Sequence, residues 1–144
     1  MTTTTVPATI SHPATVSTPE SRLRLVLAAN AVTSTVFGLI GAIAASPLAD
    51  LLGVGPVWLV RLVSVGLILF GIDVALTARA STDRLTSGAL LTSIADWSWV
   101  AATVIIIALG ALSTTGAVIM GTIALGVADF AVLQLLFRRR TLTP

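Results

Sequence analysis

Four long apolar segments dominate this chain, and they constrain its fold more than any other feature. A helix needs ~20 mostly apolar residues to cross the hydrocarbon core of a bilayer. The connections between the segments are short, so neighbouring helices must run antiparallel. We therefore predict an all-α fold, an up-down bundle of four transmembrane helices that cover residues 22–45, 57–78, 87–110 and 116–137.

The composition excludes a soluble domain and narrows the available chemistry. Hydrophobic residues make up 56% and charged residues 10% of the 144 residues, whereas a soluble domain carries about 25% charged residues. The chain has no Cys, and its only His is His12 near the N-terminus. Proton chemistry would therefore depend on carboxylates, and we predict no metal site and no cofactor.

The arginines predict the orientation of the bundle. Loops on the cytoplasmic side of a membrane carry an excess of arginine and lysine. Four antiparallel helices place seven of the arginines on one side, and only Arg61 falls near the other face. We predict a multi-pass protein of the cell membrane with both termini in the cytoplasm. The seven are Arg22, Arg24, Arg79, Arg84, Arg138, Arg139 and Arg140.

The N-terminus and the first loop carry local signals of their own. Residues 1–20 are rich in Thr, Pro and Ser and show no apolar periodicity, which predicts a disordered tail ahead of a membrane domain at 21–140. After the first span, Ser46-Pro47 is typical of a helix start and Gly53 of a helix end. We therefore predict a short helix in this loop, with a simple apolar loop as the alternative.

Polar side chains within the spans point to a site. Asp73, Asp96 and Asp129 lie within the second, third and fourth spans, and Asn30 lies within the first. A charged side chain at the centre of a bilayer costs ~2.5–3.5 kcal/mol, so it is a functional candidate by default. Counted from the predicted cytoplasmic end of each span at ~1.5 Å per residue, all four lie ~9–13 Å deep. We predict that they form one polar ring facing the inside of the bundle.

A ring of carboxylates would bind a further group. Burial and mutual repulsion prevent three carboxylates from all staying ionised, so we predict that the ring holds a proton, a cation or a small ligand, or that Arg24 or Arg79 reaches into it. Trp97 and Trp99 lie beside Asp96 and are candidates for the wall of a ligand pocket, with plain packing as the alternative. The alternative for the polar residues themselves is hydrogen bonding between helices, worth ~0.6–2 kcal/mol.

Gln134 is the one further polar side chain near this level of the fourth span. It lies about 140° around the helix from Asp129 at ~100° per residue. We therefore predict that Gln134 lies outside the ring and contacts a neighbouring helix or a lipid headgroup.

Short motifs carry a family resemblance. They are Asn30, Ser46-Pro47-Leu48-Ala49 after the first span, Ala95-Asp96-Trp97-Ser98-Trp99-Val100 in the third span, and Gln134. In these motifs the chain resembles a family of small bacterial four-span membrane proteins. The resemblance covers the four spans but not the tail, and it implies a topology rather than an activity. The chain is also similar to DoxX-like membrane proteins in size and number of spans, without a shared motif.

Three functions are consistent with these features. The first is a membrane protein whose buried acidic site binds a proton, cation or small ligand for transport or sensing. The second is an accessory or structural subunit of a membrane complex, because the short loops leave little exposed for independent work. The third is an enzyme, such as an isomerase or cyclase, with an aspartate as general acid on a lipophilic substrate. The predicted partners are the lipid bilayer and either a second copy of the chain or a membrane complex, not nucleic acid.

Overall fold

The computed structural model describes residues 17–143, and all regular structure in that range is helical. Four of the five helices are long and apolar enough to cross a membrane, which confirms the four predicted spans by length and composition. The helices are α1 (Pro19–Ile43), α2 (Ala45–Leu52), α3 (Val57–Ala78), α4 (Thr82–Ala108) and α5 (Thr114–Leu142).

A capping threonine starts α1 before the first apolar residues of its span. Thr18 accepts a hydrogen bond at Oγ1 from the Ser21 N–H at 3.2 Å, and Pro19 follows as the first helical residue. Most of the predicted disordered tail, residues 1–20, lies outside the described residues. Its last two residues are part of α1.

The predicted short helix after the first span is present as α2. It begins at Ala45, one residue before Ser46, and it ends at Gly53, whose φ of +73° is a left-handed conformation that favours glycine. Ser113, just before α5, donates from Oγ to the Leu51 carbonyl at 2.7 Å. This contact fixes α2 against the connection between α4 and α5 at one end of the bundle.

Helices α1 and α3 pack closely because glycines face the backbone of the neighbouring helix. A Cβ on Gly71 of α3 would lie 2.8 Å from the Ala31 carbonyl oxygen of α1, and a Cβ on Gly38 of α1 would lie 2.8 Å from the Ser64 carbonyl oxygen of α3. Small residues permit this close approach between helices in lipid. The earlier contact residue of α1, Ala31, meets the later one of α3, Gly71, so the two helices are antiparallel.

The other helices complete an asymmetric bundle. Helix α5 packs against both α4 and α1. Helices α3 and α4 contact each other little, and one of their contacts is that of Thr77 with Gly88 near the turn that joins them. Within the described residues the backbones of α3 and α5 do not approach each other closely, so these helices lie diagonally across the bundle.

Arginines gather at one end of this bundle, which we term the arginine-rich end. Arg24 donates from Nη1 to the Ala78 carbonyl at 2.7 Å, and Arg138 donates from Nε to the Thr86 carbonyl at 2.8 Å. Both contacts join an arginine of one helix to the backbone of its neighbour. An apolar core lies just inside this end and consists of Leu23, Leu27, Ala31, Val74, Ala78, Leu85 and Ala89.

Candidate functional site

Three polar side chains form a buried cluster where α1, α4 and α5 meet. Asp96 accepts two hydrogen bonds at Oδ2, from Asn30 Nδ2 at 2.8 Å and from Gln134 Nε2 at 3.0 Å. The exposed fractions of Asn30, Asp96 and Gln134 are 2%, 3% and 0%. We call these three residues the Asp96 cluster. Asn30 and Asp96 were predicted to come together. Gln134 was predicted outside the ring and in contact with a neighbouring helix or a lipid headgroup. It does contact a neighbouring helix, but at Asp96 itself.

The direction of side chains on a helix explains how Gln134 reaches Asp96. Ser93 of α4 donates from Oγ to the Ala131 carbonyl of α5 at 3.0 Å, so these two residues lie at the same level. Asp96 and Gln134 each follow three residues later on antiparallel helices, which separates their backbones by ~9 Å along the axis. Helical side chains tilt toward the N-terminus of their own helix, so the two side chains extend toward each other and close this gap.

The two amides of the cluster differ in how fully they are hydrogen-bonded. Ser34 donates to Asn30 Oδ1 at 3.2 Å, which holds that amide with Nδ2 toward Asp96. In contrast, Gln134 Oε1 is buried without a hydrogen-bond partner among the described residues. A buried acceptor that lacks a donor costs about 1–3 kcal/mol. Among the described residues, Gln134 Oε1 is therefore a buried oxygen of the cluster that could accept a further donor or coordinate a cation.

The arginines proposed to reach into an acidic ring lie elsewhere. Arg24 forms an ion pair with Glu20 at 2.8 Å at the arginine-rich end, and Arg79 is exposed there. Both donors to Asp96 are neutral amides. The two surface grooves described at the arginine-rich end are not lined by the Asp96 cluster.

The prediction that Asp73 and Asp129 share a buried site with Asp96 is wrong. Both side chains are exposed, one on α3 and the other on α5. The buried face of α3 is formed by residues such as Val74, and that of α5 includes Gln134. Because these faces occupy the bundle interior, the two aspartates point outward from helices that lie diagonally across the bundle.

The two tryptophans differ in exposure, and neither donates a hydrogen bond to the cluster within the described residues. Trp97 directly follows Asp96, so the helix turns it ~100° away. It is 43% exposed and faces the surroundings of the bundle rather than a pocket beside Asp96. Trp99 is half-buried, and its role beside a ligand stays a prediction.

Each outward-facing aspartate shares its helix face with small residues. On α3, Gly66 lies two turns before Asp73, and on α5, Thr122 and Gly126 precede Asp129 on the same stripe. A Cβ built on either glycine meets nothing within 4 Å. We call Gly66 with Asp73 the α3 face, and Thr122, Gly126 and Asp129 the α5 face. Both faces combine a carboxylate with an open notch, a composition typical of helix–helix contacts in lipid.

Comparison with protein-family models, curated proteins and solved structures finds no match to this chain.

Proposed function

We propose that this protein is an accessory subunit of a membrane complex and docks against partner helices through the α3 face and the α5 face. The observation that carries this proposal is the exposure of Asp73 and Asp129 on helices of membrane-spanning length. Short connections join the long helices, so the described residues present little surface outside the membrane for an independent activity.

A carboxylate that faces acyl chains is unfavourable, and these two lie too deep to reach water. Asp73 is six residues before Arg79, and Asp129 is nine before Arg138. These intervals place the carboxylates ~9 Å and ~13 Å inside the level of the arginines. A charged side chain costs ~2.5–3.5 kcal/mol at the bilayer centre and less toward the interface. A partner that pairs with the aspartates removes this cost.

Charge complementarity favours a different membrane protein over a second copy of this chain. The arginines of this chain lie at or near the ends of the spans, and Arg61, on α3, is twelve residues from Asp73, which is ~18 Å along the helix. A second copy in the same orientation would place a carboxylate or a neutral side chain opposite each aspartate. We therefore infer that the partner carries a lysine or arginine within its own membrane-spanning helix.

The arginine-rich end supports the orientation within this proposal. Arginines are enriched on the cytoplasmic side of membrane proteins, so we place the arginine-rich end, and with it both termini, in the cytoplasm. The helices then cross the bacterial cell membrane in up-down order. Membership of the small bacterial four-span family rests on the short sequence motifs and is part of the same proposal.

Co-purification from native membranes in mild detergent tests the docking. Asp73→Asn and Asp129→Asn keep the size of the side chain and remove its charge. We expect each to lower the recovery of the partner about tenfold or more, because the basic residue of the partner is then left unpaired in lipid. Asp83→Asn is the matched control, since Asp83 is exposed in the first turn of α4, outside the apolar stretch. Unchanged recovery with both variants, or a partner without an intramembrane basic residue, would contradict the proposal.

A cation site at the Asp96 cluster is a second candidate function, favoured by the unpartnered Gln134 Oε1. A monovalent cation, or a proton on Asp96, would satisfy this oxygen or the carboxylate beside it and would suit sensing or transport. We expect sodium, compared with equimolar choline, to raise the melting temperature of the wild-type protein but not that of Asp96→Asn. Identical melting in the two salts would rule out the cation.

A further inference from the structure

An open groove of about 430 Å³ lies between α1 and α3 at the arginine-rich end. Leu25 and Val32, both strongly exposed, stand along it as apolar walls. The groove is open because only small side chains line its floor, on both helices and close to their contact at Gly71. The floor residues are Ala28, Ala31, Ala75 and Ala78. A groove with an apolar floor and walls of this kind accommodates an alkyl chain.

The rim of this groove carries one unmatched positive charge. Arg24 and Arg79 both line it, together with Ser21. Arg24 is already engaged, since its guanidinium pairs with Glu20 and donates to the Ala78 carbonyl. Arg79 is exposed and its guanidinium makes no hydrogen bond within the described residues. Glu20, Arg24 and Arg79 therefore sum to one net positive charge, which lies at Arg79.

We propose that this groove binds an anionic phospholipid, with its phosphodiester at Arg79 and one acyl chain along the alanine floor. One phosphodiester carries one negative charge, which matches the net charge of the rim. The Arg79 guanidinium supplies the hydrogen-bond donors for the phosphate oxygens, because the Ser21 hydroxyl already donates to the Thr18 carbonyl at 2.8 Å. The distance from Arg24 to Val32, eight residues along α1, gives an apolar track of ~12 Å for the chain.

The alkyl track distinguishes a lipid from a free phosphate ion. Inorganic phosphate could contact the rim but would leave the alanine floor uncovered. A zwitterionic phospholipid would fill the track, but the ammonium group of its headgroup would offset the charge of its phosphate beside Arg79. The site therefore binds both the headgroup and an acyl chain of an anionic lipid. Substitutions at the rim and at the floor of the groove should each weaken binding.

Native mass spectrometry of retained lipids tests this site. The purified full-length protein is reconstituted with equal amounts of phosphatidylglycerol and phosphatidylcholine and is then extracted in mild detergent. We expect phosphatidylglycerol to be retained preferentially. Arg79→Gln should lower the ratio of retained phosphatidylglycerol to phosphatidylcholine about fivefold, because one basic residue near a headgroup is worth ~1 kcal/mol. Ala28→Leu should reduce retention of both lipids by blocking the floor without a change in charge.

Arg84→Gln is the matched control, because Arg84 is an exposed arginine just inside the start of α4 and does not line the groove. An unchanged lipid ratio in this variant, beside the fall in Arg79→Gln, supports the site. An equal fall in both variants would show only general surface charge and would overturn the proposal. Displacement of phosphatidylglycerol by millimolar inorganic phosphate would overturn it as well, because the site would then recognise the ion alone. The comparison of Arg79→Gln with Arg84→Gln tests the proposed lipid site even if Ala28→Leu does not fold.

Discussion

Asp96 is held inside an apolar bundle by hydrogen bonds rather than by an ion pair. Its Oδ2 accepts from two amides that belong to different helices, and Ser34 fixes one of these amides in turn. A single carboxylate thus joins α1, α4 and α5 at one point. The Asp96 cluster therefore contributes to helix association independently of any ligand that it binds.

Removal of the Asp96 carboxylate should destabilise the protein more than removal of an outward-facing one. Asp96→Ala leaves the donors of Asn30 and Gln134 without their acceptor, which should cost about 1–3 kcal/mol. Asp96→Asn keeps a carbonyl oxygen at the site and should retain most of the stability. The free energy of reversible unfolding in detergent micelles measures both effects.

Asp129→Ala is the control for this comparison, because Asp129 is exposed and belongs to no buried cluster. In the isolated protein it should leave the free energy of unfolding unchanged or raise it slightly. A loss of stability in Asp129→Ala as large as that in Asp96→Ala would contradict the assignment of the buried cluster.

At the level of single residues, the sequence predicted part of this cluster. Asn30 and Asp96 stand out as polar residues at matched depth, and the structure brings them together. Gln134 was left out of the ring because it lies about 140° around α5 from Asp129, which was predicted to face inward. The structure turns the Gln134 side of α5 inward instead. The length and tilt of its side chain, which bring it to Asp96, are not visible in a helical angle.

Among the helices, α1 and α3 form the closest pair, and glycine is what permits their contact. The pairing places Gly71 against the Ala31 carbonyl and the Thr35 side chain. In lipid, such close packing replaces the hydrophobic driving force that operates in water. The stability of this pair should therefore respond to a single added methyl group.

Gly71→Ala should destabilise the bundle by about 1–3 kcal/mol, because the added methyl group meets backbone atoms that cannot move independently. Gly66→Ala, on the same helix, is the matched control, since a Cβ there meets nothing within 4 Å. Gly66→Ala should be neutral or stabilising by up to ~1 kcal/mol, because alanine loses less backbone entropy on folding than glycine. Thermal unfolding of both variants in detergent measures the difference, and equal effects would disprove the close contact.

The existence of the helices was easier to predict than their inward faces. Ser46-Pro47 and Gly53 correctly indicated the short helix α2. For α3 and α5, the predicted ring requires Asp73 and Asp129 to face the inside of the bundle, and the structure places both outside. Both helices are apolar on every side, as suits a lipid environment, so apolar periodicity could not select the packed face.

For the whole molecule, the sequence predicted four spans but not which of them pack against each other. Segment length and composition were sufficient to predict the four spans. The diagonal placement of α3 and α5 depends on the close α1–α3 contact and on how little α3 and α4 pack together. These are properties of side-chain fit between helices, and no periodicity within one helix reports them.

Reporter fusions test the proposed orientation of the whole molecule. A reporter active only in the cytoplasm should be active after Thr143 and within the turn near Ala80, and inactive when inserted near Gly55 or Ala111. This result follows from the excess of arginine on the side of both termini. Activity near Gly55 together with inactivity after Thr143 would show the opposite orientation.

The most direct measurement of the docking proposal is photo-crosslinking in intact native membranes. A benzophenone side chain replaces exposed Leu69 or Leu125, each four residues before an outward-facing aspartate on the same helix face. The control position is Ile105, which is also exposed. We predict crosslinks from positions 69 and 125, but not 105, to a membrane helix that contains lysine or arginine, and their loss when Asp73→Asn or Asp129→Asn is added on the corresponding helix. Crosslinks to lipid alone, or only to a second copy of this chain, would contradict the account.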